Sequence, residues 1–406
     1  MSLRLNAACS DHMSRMVLLA RDPGVIEAAR AAARGLGRAS PLLIADGRAA
    51  LAQLFSPEGP PRQLICEASA AGSSWPALLA TATDPFAATG IVVVLEDGQP
   101  LPAGVPGVRP EVGLLTEALR DAALVRRQVP AEDPAALSLG LARGEITVRY
   151  QPAVEIATRR PVLLEGLARW QRRDDPALSP DAFVPLAERN GLSRALSVAV
   201  AQSAFAEMAS RAARVGATVS MNLPLPVLVE RDVLGWLEKL RRGAGFPIGA
   251  VALELTETMP VRDRGILRRS LIRLAEAGYP VLIDDMGLEE DRAGLLDLPF
   301  AGIKLDRHLI GAMPISRRAR AEVAKLVQMA HARRMRVTAE GVSDARLWRA
   351  VAAAGADNAQ GFAIARPLPA AALPGWAAAW KTGSIRRPPG RVAGQAAPGG
   401  AAARDN

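Results

Sequence analysis

The sequence predicts two α/β units in tandem, a doubly wound domain over residues 16–124 and a (β/α)8 barrel over residues 143–381. Three observations carry that expectation. Short apolar runs alternate with helix-patterned stretches along most of the chain. Seven apolar segments of the second half finish, one after another, at Glu165, Asn222, Glu254, Asp284–Asp285, Lys304, Glu340 and Gln360. Several helical stretches then stop at a glycine (Gly216, Gly243, Gly278, Gly355), the residue that takes left-handed backbone at least cost.

Residues 1–15 read as a loose leader. Strands are expected at 17–20, 42–45, 63–66, 91–95 and 105–108, with helices at 24–36, 48–55, 75–82 and 112–124 between and after them. Five strand–helix units in so short a span describe a flavodoxin-like layout. A bridge over 125–142 contains Pro130 and Pro134, and a helix at 134–143 leads into the barrel with Gly144 as its stop. The barrel helices are expected at 194–214, 225–242, 264–277, 316–334 and 344–354. After Lys381 the composition turns to Gly, Pro, Ala and Arg, so 382–406 reads as a disordered tail.

Composition narrows the class. Half of the 406 residues are hydrophobic, enough for a sizeable core, while aromatics supply only 4%. The formal charge of +9 comes mainly from arginines scattered along the chain, without the aromatic interleaving of a nucleic-acid groove. Two cysteines, Cys9 and Cys66, make no disulfide framework, and a reducing cytoplasm fits them. The apolar run at 16–20 is too short for a signal peptide, and no stretch has the length of a membrane span.

In a (β/α)8 barrel the C-terminal strand ends converge on one mouth. An acid after a strand is commonly only a helix cap. Several acids at one mouth are different, because like charges crowd there unless cations neutralise them. Hard oxygen donors suit Mg2+, Mn2+ or Ca2+, and the three scattered histidines argue against zinc. Asp284 and Asp285, adjacent at one strand end, can diverge so that Asp284 bridges two cations and Asp285 binds the second. Two cations about 3.5–4 Å apart clamp both oxygens of an in-line phosphoryl displacement. Lys304 can orient the attacking water or neutralise phosphate charge, the alternative being a solvated lysine before a helix. Glu165 and Arg169 share a strand face and suit a metal and a phosphate side by side, or else a salt bridge within the strand.

These residues resemble the EAL-domain cyclic di-GMP phosphodiesterases over roughly 134–380. The likeness rests on Tyr150-Gln-Pro152, Glu165-Gly-Leu-Ala-Arg169, Phe183-Val-Pro-Leu-Ala-Glu188, Met221-Asn-Leu223 and Glu254-Leu-Thr-Glu257. It continues through Asp284-Asp285, Lys304-Leu-Asp306, Ala339-Glu-Gly-Val342, Gln360-Gly361 and Ala365-Arg-Pro-Leu-Pro369. The resemblance implies a first metal held by Glu165, Asn222, Glu254 and Asp284, and a second by Asp284, Asp285 and Glu340. It implies Lys304 beside the attacking water and Gln151, Arg169 and Gln360 on the substrate. Glu257 would tether the loop after Asp285. The implied reaction opens cyclic di-GMP to linear pGpG with Mg2+ or Mn2+.

Three positions depart from the family pattern. Gly166 replaces an alanine on the face away from Glu165, and Ser343 stands where a second glutamate usually follows. After Asp285 the chain reads Met-Gly-Leu-Glu-Glu-Asp-Arg-Ala-Gly294, one residue short of the usual Gly-Thr-Gly loop and more acidic. That loop supports a second reading, a non-catalytic receptor for the dinucleotide or for a protein. Enolase-type proton abstraction also uses strand-end carboxylates and a lysine, but the Gln151-Pro152 and Glu165–Arg169 motifs and the missing capping domain weigh against it.

The N-terminal unit resembles a response-regulator receiver in layout. Asp22 stands alone after the first strand, Cys66-Glu67 ends the third, and Arg109-Pro110 falls where Lys-Pro is expected. Without an acceptor aspartate or the lysine it reads as a pseudo-receiver for dimerisation or for docking a protein partner, with Glu67 as a candidate mimic of a charged acceptor.

Overall fold

The computed structural model describes residues 16–54, 61–82, 89–95, 107–122, 133–172, 178–256, 261, 263–287 and 294–381. The expected leader, the tail, the first part of the bridge (125–132) and Glu257 lie outside them. Five parallel strands make the first sheet: β1 Met16–Leu19, β2 Leu42–Ile44, β3 Gln63–Glu67, β4 Gly90–Val94 and β5 Gly107–Val108. Their order is β2-β1-β3-β4-β5. Alternation along the strands sends Leu18, Ile65 and Val92 to one face, under the helices Pro23–Gly35 and Val112–Asp121. Val17, Leu19, Leu64, Cys66 and Val93 go to the other face, where Gly47–Leu54 and Trp75–Ala82 pack. Asp22 starts the first helix by accepting from the Val25 amide at 3.0 Å, with Pro23 fixing the first turn.

The second sheet closes into an eight-stranded barrel in the order β10-β11-β12-β13-β6-β7-β8-β9. Its strands are β6 Ile146–Glu155, β7 Pro161–Trp170, β8 Thr218–Pro224, β9 Val251–Thr256, β10 Val281–Met286, β11 Gly302–Leu305, β12 Arg336–Ala339 and β13 Asn358–Gln360. One departure from a uniform strand–helix alternation is that β6 runs antiparallel to both neighbours. A turn over 156–160 joins it to β7 as a hairpin, too short for the crossover that parallel strands need. Consequently β7 does not stop at Glu165 but pairs with β6 as far as Trp170.

Two expected helices are divided. Residues 194–214 form Ser193–Met208 and Ala212–Val215, and residues 225–242 form Leu225–Leu228 and Val233–Gly243. Gly216, Gly278 and Gly355 take positive φ as expected, but after Gly243 the left-handed residue is Gly245. Outward strand residues such as Val219, Leu253, Ile283, Ile303 and Val337 pack under the helices, in one core with the lower face of the first sheet.

Candidate functional site

Period-two alternation builds the site. Leu163 and Glu165 share a face of β7, Ala252 and Glu254 of β9, and Leu282 and Asp284 of β10. The lower members, with Ala153 of β6, form a small apolar cluster apart from the main core. That cluster is the floor, and the acids are the layer above it.

Lys304 stands among those acids. Its Nζ lies 3.0 Å from Glu165 Oε2, 2.7 Å from Glu254 Oε2, 3.0 Å from Asp284 Oδ1 and 2.5 Å from Glu340 Oε1. The side chain is only 1% exposed, which excludes a solvated lysine. Asn222 Nδ2 donates to Glu165 Oε1 at 3.1 Å and Gln360 Nε2 to Glu165 Oε2 at 2.6 Å. Gln360 also reaches Gln151 Oε1 at 3.5 Å, and Gln151 Nε2 donates to the Ala365 carbonyl at 3.1 Å.

The pair Asp284–Asp285 depends on a backbone irregularity. The register of β10 against β11 shifts between Ile283 and Met286, so three steps on one strand oppose two on the other. Asp285 sits in this bulge with φ of 51°, a left-handed conformation that aspartate tolerates better than most residues. In regular strand geometry its carboxylate would leave by the opposite face from Asp284. Here both belong to one set. Oxygens of Glu165, Glu254 and Asp284 lie within 4.8 Å of one another, as do those of Asp284, Asp285 and Glu340. Asp284 is common to both.

Burial pushes the Glu254 carboxyl up to about 8, with Glu165 and Asp284 adding repulsion and Lys304 opposing it. Burial likewise raises Asp284 and Glu340. Glu165 is also buried, but Lys304 and the amides of Gln360 and Asn222 hold its carboxyl below the usual range. The same carboxylates overcome burial at Lys304 and keep its proton affinity well above that of an ordinary lysine. The pocket therefore has a deficit of positive charge that either protons or metal ions can fill. Its donors fit hard divalent cations: they are all oxygens, and Glu254 Oε1, Asn222 Oδ1 and Gln360 Oε1 are buried without a hydrogen-bond partner among the described residues.

Of the residues singled out in the sequence, Glu165, Asn222, Glu254, Asp284, Asp285, Lys304, Glu340, Gln151 and Gln360 thus meet at one mouth. Arg169 lies on the same face of β7 as Glu165, its Nη1 donating to the Ala168 carbonyl at 2.7 Å. Glu257 and the acidic residues 289–291 fall outside the described residues. Two contributors escaped the sequence reading. Ser220 is the register partner of Glu165 on β8, and its buried Oγ has no hydrogen-bond partner among the described residues; a polar residue between Val219 and Met221 was the signal. The Ala365 carbonyl, which fixes Gln151, could not be read from a side chain at all.

The family model for the EAL domain matches residues 135–367. A cyclic di-GMP phosphodiesterase of Pseudomonas aeruginosa is 30% identical over 229 residues, covering 56% of this chain and 39% of that protein. A probable cyclic di-GMP phosphodiesterase of Escherichia coli is 29% identical over 235 residues, covering 57% and 45%. The chain therefore spans less than half the length of these relatives. Among solved structures, the FimX EAL domain of Pseudomonas aeruginosa bound to cyclic di-GMP superposes with a TM-score of 0.54 at 18% identity, covering 59% of this chain and 98% of that one. EAL domains use divalent metals, in keeping with the acid cluster, and with its closed barrel and matched core this chain belongs to the EAL-domain family.

Proposed function

We propose that the barrel is a phosphodiesterase that opens cyclic di-GMP to linear pGpG by in-line attack of water, with two Mg2+ or Mn2+ ions. The observation that carries this reading is the pair of carboxylate sets sharing Asp284 around one buried lysine. Glu165, Asn222, Glu254 and Asp284 would hold one ion, and Asp284, Asp285 and Glu340 the other. When bound, such ions supply charge neutralisation at the phosphate and acidify the attacking water. Lys304 carries three N–H donors and keeps its proton, so it orients oxygen atoms and offsets phosphate charge. Glu340, whose carboxyl burial raises, lies 2.5 Å from Lys304 Nζ and so ties that lysine to the second cation set. Gln151, Gln360 and Arg169 supply amide and guanidinium contacts to the dinucleotide. Glu257 is assigned to tethering the loop after Asp285.

The test is incubation of the protein with cyclic di-GMP and Mg2+ or Mn2+, with a Glu165→Ala control and a chelated control, reading linear product. Turnover lost in both controls is expected. Binding by wild type with no turnover moves the function to a non-catalytic receptor, the reading favoured by the shortened acidic loop after Asp285.

The first sheet is assigned to a flavodoxin-like, receiver-like domain over 16–124 that lacks a phosphoacceptor, joined through 125–142 to the barrel at 143–381. Its strand order supports this. At the end of β3, Glu67 accepts from the Arg21 amide at 2.7 Å, the Asp22 amide at 3.0 Å and Ser69 Oγ at 2.5 Å. Against burial, these donors hold its carboxyl below the usual range. A fixed charge thus stands where receivers carry a modifiable one. Exposure to a small phosphodonor should add no phosphate by intact mass. Among the described residues no helix is long and apolar enough to cross a membrane. A cytoplasmic homodimer, with the first sheet docking a protein partner, completes the assignment; sedimentation analysis tests the dimer.

A further inference from the structure

The substrate-side glutamine Gln151 is fixed by a segment that does not belong to the barrel wall. After β13 the chain continues as a strap over 361–372 that meets the edge of β6 at Tyr150. Its Ala365 carbonyl accepts from Gln151 Nε2 at 3.1 Å, and Leu368 exchanges two backbone hydrogen bonds with Tyr150, at 2.7 and 2.9 Å. The helix Leu373–Lys381 follows. Trp376, fully buried, donates from Nε1 to the Ile364 carbonyl at 3.3 Å, one residue before Ala365. Trp380 stacks on Trp376 at 5.9 Å between centroids, and its Nε1 donates to the Arg159 carbonyl in the β6–β7 turn at 2.7 Å.

The outer side of this helix is not solvent-facing. It packs against Gly47–Leu54 and Trp75–Ala82 of the first sheet's lower layer. At Gly375 the approach is so close that an added methyl would lie 2.6 Å from Ala77 Cβ and 3.2 Å from Leu51 Cδ1. The N-terminal sheet layer thus presses on the helix that holds the strap.

We propose that Trp376 is a positioning residue for Gln151, and that the N-terminal domain, seated at Gly375, holds the strap in place for substrate binding. The proposal rests on the phosphodiesterase reading for its substrate. Gln151 contacts the dinucleotide and not the cation ligands directly, so the effect belongs in KM. Trp376→Phe keeps a ring and removes the donor; loss of about one hydrogen bond corresponds to roughly a fivefold rise in KM with kcat little changed. Gln151→Ala should raise KM similarly, and the double variant should add nothing to it, because both act through one contact. Additive effects, or a fall in kcat alone, overturn the proposal.

A second arm is independent of turnover. In the full chain, Gly375→Leu should speed amide hydrogen exchange across residues 361–368 while leaving β8 and β9 protected. Ala77→Leu crowds the same point from the other side and serves if Gly375→Leu does not fold. Unchanged exchange in the strap overturns the proposal even when wild type is active. If wild type neither binds nor cleaves cyclic di-GMP, the phosphodiesterase reading fails and the exchange experiment still decides whether the strap is seated by the N-terminal domain.

Discussion

An ammonium among four carboxylates is a substitute cation, and Lys304 holds that place with all four oxygens within 3.0 Å. Removing it without supplying charge leaves buried acids uncompensated, a change that typically costs about 3–5 kcal/mol. Lys304→Met should therefore lower stability in chelator, and Mg2+ or Mn2+ should restore part of the loss because ligands that bind only the folded state stabilise it. Urea unfolding with and without cation measures this; a variant indifferent to cation removes the case for a metal centre. Glu254 allows a test with a definite sign. Its folded carboxyl lies at about 8, above the ordinary carboxylate value, so its contribution is complete at acid pH and is lost as pH rises through 8. Stability of chelated protein should fall between pH 5 and 9, and Glu254→Gln should remove up to about 1.4 kcal/mol per pH unit of that slope. An unchanged slope assigns the titration elsewhere. At this scale the sequence was highly legible, since polar residues that end apolar runs have few reasons to be there. Ser220 was overlooked because a serine in a strand carries no such surprise.

The elements explain what alternation alone cannot. Two adjacent aspartates in a regular strand face opposite ways, and only the bulge at Asp285 brings both into one cation set. Asp285→Asn keeps a side chain that tolerates positive φ and removes the charge; it should leave the melting temperature within a few degrees and weaken cation affinity at least about tenfold. Asp285→Val places a β-branched residue at φ of 51° and should destabilise by about 1–2 kcal/mol as well. Equal cation affinity in all three proteins, measured calorimetrically, would show that Asp285 is not a ligand. The bulge was not legible, because its signal is a register against β11 and not a residue type. The β6–β7 hairpin was misjudged for a related reason. Ten-residue strands buried on both faces carry no mark of direction, and only the shortness of 156–160 betrays the antiparallel turn. The breaks at 209–211 and 229–232 interrupt patterns that local propensity favours as continuous helix.

For the molecule as a whole, the decisive feature is that the division into two units stops at the core. Leu51, Cys66, Ala77 and Leu78 from the first sheet belong to the same buried cluster as Leu373, Trp376 and Trp380. Domains in one chain move independently unless their interface is large and apolar, and this one is apolar and closely approached at Gly375. The sequence places a boundary near 125–142 from a change of pattern, but nothing in periodicity shows that the helix Leu373–Lys381 folds back against the first layer. The expectation is one cooperative transition for both units. Cys66 reports on the first, since it is fully buried and burial pushes its thiol up to about 12, leaving it unreactive in the native state. With Trp75 of the first unit replaced by Phe, tryptophan fluorescence reports on the second, because the other five, Trp170, Trp236, Trp348, Trp376 and Trp380, all lie in the barrel half. In a Cys9→Ser background, labelling of Cys66 by a thiol reagent and the fluorescence transition should share one urea midpoint, and Gly375→Leu should draw them apart with labelling first. Labelling that precedes the fluorescence change in the parent protein would mean that the first sheet opens alone, and that its packing on Leu373–Lys381 is too weak to seat anything.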